Sequence, residues 1–141
     1  MIVQVPVSVG ELLDKLSILR IKRANMRDAA KLGNVERELA GLEEVARAHG
    51  LSHGELEKAL DEVNGELWRV EDELRVLEAR RDFGPRFVEL ARAVYHTNDR
   101  RAALKRRLNL HFGSALVEEK EYADYSGGAS SAPPGAPPRE P

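Results

Sequence analysis

From Leu56 to Leu77 an apolar residue returns after alternating steps of four and three: Leu56, Leu60, Val63, Leu67, Val70, Leu74 and Leu77. That rhythm keeps a narrow, coiled-coil-like stripe on one side of an α-helix, and it excludes a strand, whose side chains alternate with a period of two. A helix of this length cannot hide its stripe alone, so the rest of the chain has to cover it. Phe83, Phe87, Leu90 and Val94 carry a second stripe in the same spacing. Between the two lies "RRDFGP", where Gly84 frees a turn and Pro85 suits a first helical position. An antiparallel hairpin of two long helices is the expected result. The second stripe then admits Thr97 and Arg101 before Leu104 and Leu108 resume it. Two polar side chains thus enter successive layers of a seam that should be oily.

Two further helices precede the hairpin. Ser8 with Glu11, and Ser52 with Glu55, have the spacing of a capping box, and Val7 with Leu12 and Leu51 with Leu56 have that of a hydrophobic staple. The first helix is predicted over Val9–Met26, with Leu12, Leu16 and Leu19 on one stripe. Asp28 caps a second, carrying Leu32, Val35, Leu39 and Leu42 and stopping near Gly50. The last helix should reach Phe112 and stop at Gly113. Short links favour antiparallel neighbours, so the fold class is all-α, an up-down-up-down antiparallel four-helix bundle with a long C-terminal hairpin. That hairpin reaches roughly 40 Å, more than the first two helices cover. Part of it is expected to project or to find cover in a second copy, which makes a homo-oligomer one expected partnership. "MIVQVPV" should be extended, and "ALVEEKEYADY" should pair with it as a strand or fold back as a short helix. The helical domain spans residues 1–125. The stretch 126–141, "SGGASSAPPGAPPREP", has no apolar pattern to offset the entropy of ordering and is expected to be a disordered tail.

Composition narrows the chemistry. A net charge of -2 and 5% aromatic residues argue against a nucleic-acid partner. The absence of cysteine removes disulfides, thiolate metal sites and cysteine nucleophiles. The apolar start is too short to span a bilayer and lacks the marks of a secretory signal, so no membrane span and a cytoplasmic location are expected. No Gly-rich phosphate loop or nucleophile elbow is present. His49 and His53 have a metal-like spacing, but Gly50 lies between them, and neither a metal nor another cofactor is expected. Residues 55–78 carry nine acidic side chains against three basic ones, and residues 85–112 carry seven basic against two acidic. Folding at Gly84 sets Arg101 opposite Glu66, Lys105 near Glu62 and Arg106 near Asp61. On that reading "RRAALKRR" complements its own hairpin partner.

Polar residues also line up beside the apolar seams. Asn98, Arg101 and Lys105 form one stripe, Asn64, Trp68, Glu71 and Arg75 a second, and Glu11, Lys15, Ile18 and Lys22, with Asp14 adjoining, a third. Convergence of the three would make a partly buried pocket walled by Trp68. In it Arg101 and Lys105 would hold a phosphate or carboxylate, Asn98 would orient it, and Asp99 or Asp14 would serve as general base if burial raised its pKa. The competing explanation is a polar layer that sets helix register and holds no ligand.

Four stretches, "VPVSVGELLDKLSILRIK", "ELWRVEDELR", "LARAVYHTNDRRAALKRRLN" and "GSALVEEKEY", together resemble an uncharacterised bacterial family of small helical proteins, over about residues 3–125. Its members are found near glycosyltransferase and surface-polysaccharide genes. The resemblance therefore implies a role in glycan assembly and a glycosyltransferase as partner. The residues matching its polar stretches are Glu11, Asp14, Lys15, Lys22, Thr97, Asn98, Asp99, Arg101, Lys105, Glu118, Glu119, Lys120 and Tyr122. Two functions follow from the whole. The favoured one is a non-catalytic helical accessory or adaptor module in surface-polysaccharide biosynthesis. The alternative is a small all-α enzyme or binding protein for an anionic ligand, a phosphate or nucleotide sugar. Its candidate binding residues are Asp14, Lys15, Lys22, Trp68, Glu71, Asn98, Asp99, Arg101, Lys105, Lys120 and Tyr122.

Overall fold

The computed structural model describes residues 1–126; the expected disordered tail lies, apart from Ser126, outside the described residues. Four helices follow one another: α1 (Val9–Asn25), α2 (Ala29–Ala48), α3 (Gly54–Ala79) and α4 (Pro85–Phe112). Their ends sit where the local chemistry satisfies otherwise unpaired backbone groups. The Ser8 hydroxyl accepts from the Glu11 amide and the Asp28 carboxylate from the Lys31 amide. Pro85 opens α4, and Gly113 closes it in the left-handed region at φ 62°. At the start of α3 the cap moves one residue along and its acid two: His53 Nδ1 accepts from the Leu56 amide, and the Glu57 carboxylate accepts from the His53 amide. Ser52 therefore does not cap this helix. Nor does Glu11 reach back to Ser8, because its carboxylate binds Lys105 instead.

The chain reverses around Gly84, and α3 and α4 run antiparallel, tied by Arg86–Glu73 at 2.7 Å and Arg100–Glu66 at 2.6 Å. Every position of the α3 stripe is buried or half-buried. Helix α1 packs against α2, α3 and α4, whereas α2 brings its backbone close to α1 alone among the helices. Two apolar clusters result. The larger joins Leu13, Leu16, Leu19, Val35, Leu39, Leu60 and Leu108 from all four helices. The smaller, Val70, Leu77 and Leu90 with Phe87 and Val94 against them, belongs to the distal hairpin and is only two helices thick. The hairpin does outreach its cover.

The segment after α4 departs from expectation. Among the described residues there is no strand, and residues 1–7 stay exposed. Residues 116–125 form neither strand nor helix. They turn back along α4 as a strap, with Glu119 on Arg106 and Tyr125 on Asp99, because α4 offers them charged partners where residues 1–7 offer none. No helix among the described residues is long and apolar enough to cross a membrane.

Candidate functional site

Between the two apolar clusters lies the polar layer that Thr97 and Arg101 announce. At its centre is Asp14 on α1, with a relative exposure of 1%. Arg101 grips it with both ends of a fork, Nε to Oδ1 at 2.9 Å and Nη2 to Oδ2 at 2.5 Å. Asn64 on α3 donates to the same Oδ1 at 3.0 Å and to the Ser17 hydroxyl at 3.1 Å. A two-pronged guanidinium–carboxylate pair is among the strongest that proteins make, and here it joins three helices. The hydrogen bonds it donates to Asp14, before any other contribution, hold the Arg101 guanidinium above its usual pKa.

One turn further, Lys105 donates to Glu11 at 2.6 Å and to Glu118 of the strap at 3.0 Å. Burial works against the Lys105 charge, but its bonds to Glu11 and Glu118 and the field of Asp14 outweigh it, so its pKa stands above normal. Beyond it Asn109 Oδ1 accepts the Gly10 amide at 2.6 Å, and Ser114 Oγ accepts the Val9 amide at 3.1 Å. No buried side-chain nitrogen or oxygen among the described residues lacks a partner.

Hairpin geometry alone misplaces these cations. Arg100, not Arg101, meets Glu66; Lys105 meets Glu11 and Glu118 in place of Glu62; and Arg106 meets Glu119 in place of Asp61. The reason is that α4 touches two helices and a strap. Its Arg101 and Lys105 side faces α1, and among the described residues it is Arg100 and Arg86 that pair with acids of α3.

The candidate residues separate into three groups. Asp14, Arg101 and Lys105 come together in the buried layer. Trp68 and Glu71 line a cleft of about 460 Å³ between α1 and α3, onto which Arg101 opens. Asn98, Asp99, Lys120 and Tyr122 line another, of about 570 Å³, between α4 and the strap. Lys15 pairs with Glu38 of α2 at 2.8 Å, and Lys22 lines neither cleft. Asn98 therefore does not share a pocket with Trp68. Nor does Asp14 face a substrate, being sealed and held by Arg101 and Asn64. In the layer three carboxylates, Asp14, Glu11 and Glu118, face two cations, Arg101 and Lys105. No positive charge is left over for an anion. Sequence reasoning passed over Asn109, although it continues the stripe of Asn98, Arg101 and Lys105 by one more step of four. It also passed over Ser17 and Gly10, for which periodicity holds no signal.

The strap's attachment should depend on pH. Its bond to Lys105, chiefly, holds Glu118 below the ordinary glutamate range. A depressed carboxylate adds stability above its unfolded pKa, about 4.3, and loses it as pH falls through the lower folded value. Lys105, raised, adds stability below its unfolded value of about 10.4 and loses it as pH rises through the folded one. The strap should stay latched across the interval and release in acid, at a cost of under about 1 kcal/mol because Glu118 is half-exposed. The side-chain carboxyl carbon shift of Glu118 and the ring signals of Tyr125, followed by NMR, should change together. Titration of Glu118 at the ordinary value would contradict the latch.

Among the described residues no three histidine or acidic side chains gather as a metal site. Set beside known protein families, curated proteins and solved structures, the chain matches none.

Proposed function

We propose that this chain is a non-catalytic helical accessory module whose distal α3–α4 hairpin docks onto a partner protein. The observation that carries the reading is the hairpin's tip. Val76, Phe83 and Val88 are each about half exposed on a part of the fold only two helices thick. Phe83 and Val88 lie at the apolar end of a groove of about 790 Å³ that continues past Arg92 to Arg100 and Glu66. An apolar patch rimmed by charge is the usual build of a docking surface. The polar layer suits the same role, since a clamp between three helices holds the hairpin at a set angle to α1. The resemblance to proteins found near glycan-building genes makes a glycosyltransferase the first partner class to test.

Copurification of the tagged chain with a glycosyltransferase from its own cells should be lost in the Phe83→Glu/Val88→Glu double variant. Both side chains are half in water, so folding stability should move by less than about 0.5 kcal/mol. Equal recovery of the enzyme by wild type and variant would refute the docking role of the tip.

The anionic-ligand alternative keeps one observation in its favour, the opening of Arg101 onto the Trp68 cleft. Pairing of that guanidinium with Asp14 weighs against it. In the same cleft Arg75 is turned back onto Glu71 at 2.6 Å.

A further inference from the structure

Aromatic side chains are scarce in this chain, yet all three of its tyrosines line one cleft, the one between α4 and the strap. Tyr95 comes from α4, and Tyr122 and Tyr125 from the strap. The Tyr125 hydroxyl donates to Asp99, and its ring stands edge-on to Tyr95 with centroids 5.2 Å apart, so one wall is held in place. Tyr122 is 72% exposed, with Lys120 Nζ over its ring at 5.8 Å from the centroid. Asn98 and Asp99 reach the same space from consecutive positions of α4. The volume, about 570 Å³, falls within the range of small-molecule sites.

The chemistry of the lining selects a ligand class. Asp99 and Lys120 cancel in charge, so the cleft has little to offer an anion. A wholly apolar ligand would leave the Asn98 amide unmet and would strip water from Asp99 and Lys120, which keep Tyr125 and Glu118 as partners but have bonding capacity to spare; that is costly. What suits the set is a ring with an apolar face and a rim of hydroxyls. The face stacks on a tyrosine, and each hydroxyl both donates and accepts. Asn98 supplies a donor and an acceptor in one plane, Asp99 acceptors and Lys120 donors. We propose that this cleft binds a neutral saccharide residue. It shares no lining residue with the groove at the hairpin tip, so the inference stands apart from the docking reading and does not depend on it.

The test is an NMR titration of the full chain with maltose, cellobiose, lactose and mannobiose, and with uridine diphosphate as a base-stacking, anionic comparison. At least one disaccharide should shift the Asn98 side-chain amide and the tyrosine ring signals, leaving the Trp68 indole unmoved. Tyr122→Ala and Asn98→Ala should each weaken that binding by about tenfold. Helicity and melting temperature should stay as they are, because Tyr122 is exposed and Asn98 makes no hydrogen bond that holds the bundle. The proposal is overturned if no disaccharide moves the Asn98 amide, if binding survives in both variants, or if uridine diphosphate alone occupies the cleft.

Discussion

Asp14→Ala should cost about 3–5 kcal/mol of folding stability, the range for removing one partner of a buried ion pair. The loss is large because of what remains behind. Arg101 would keep its charge inside the layer with no carboxylate to meet its fork, and Asn64 would lose an acceptor. Lys105 sits 3.9 Å from Asp14 Oδ2 and would lose part of the field that offsets its burial. Arg101→Met should cost less, since Asp14 retains Asn64 and lies near Lys105. The double variant Asp14→Leu/Arg101→Met removes both charges together. It should be more stable than Asp14→Ala, because an apolar pair of similar volume avoids the desolvation that the ions suffer. Urea unfolding of these proteins, with Asp14→Leu alone added to close the cycle, gives the coupling directly. A loss below about 1 kcal/mol for Asp14→Ala would mean that water reaches the pair.

This pair also marks how far the sequence could be read. The helices were legible because their signals are local: Ser8, Asp28, Pro85 and Gly113 act within a turn of where they stand. The polar layer was legible too, since Thr97 and Arg101 interrupt a stripe that is otherwise apolar. The acid that Arg101 meets was not. Choosing between Glu66 and Asp14 requires knowing which side of α4 faces α1, and that depends on how three helices pack. The shifted cap at α3 failed for a subtler reason. Ser52–Glu55 and His53–Glu57 are both workable pairs, and the second also brings His53 against His111 with ring centroids 4.5 Å apart. The strap had no periodicity to read. Its course follows from Glu118 and Glu119 finding Lys105 and Arg106, contacts made only after α4 exists. For the same reason the single pocket expected beside Trp68 became two clefts, one of them walled by the strap.

Gly10→Ala tests the joint on which layer and strap both rest. A Cβ at this position would lie 2.5 Å from the Lys105 carbonyl oxygen and 3.0 Å from Asn109 Oδ1. The first is backbone and cannot swing aside, so α1 and α4 have to part. Parting them lengthens the bond from the Gly10 amide to Asn109 and shifts the residue whose ammonium holds Glu11 and Glu118. Overpacking of this kind costs about 1–3 kcal/mol, and loss of the buried amide bond adds about 1 more. The helix preference of alanine over glycine returns up to about 1 kcal/mol, less so near a helix end. The net expectation is a loss of about 2 kcal/mol, with the Glu118 and Tyr125 signals broadened as the strap loosens. Gly41→Ala supplies the contrast, because a Cβ there meets nothing within 4 Å in the middle of α2. It should raise stability by about 1 kcal/mol and leave the strap signals sharp. If both substitutions stabilise the protein alike, α1 and α4 do not approach as closely as the layer requires, and the clamp around Asp14 is looser than its distances imply.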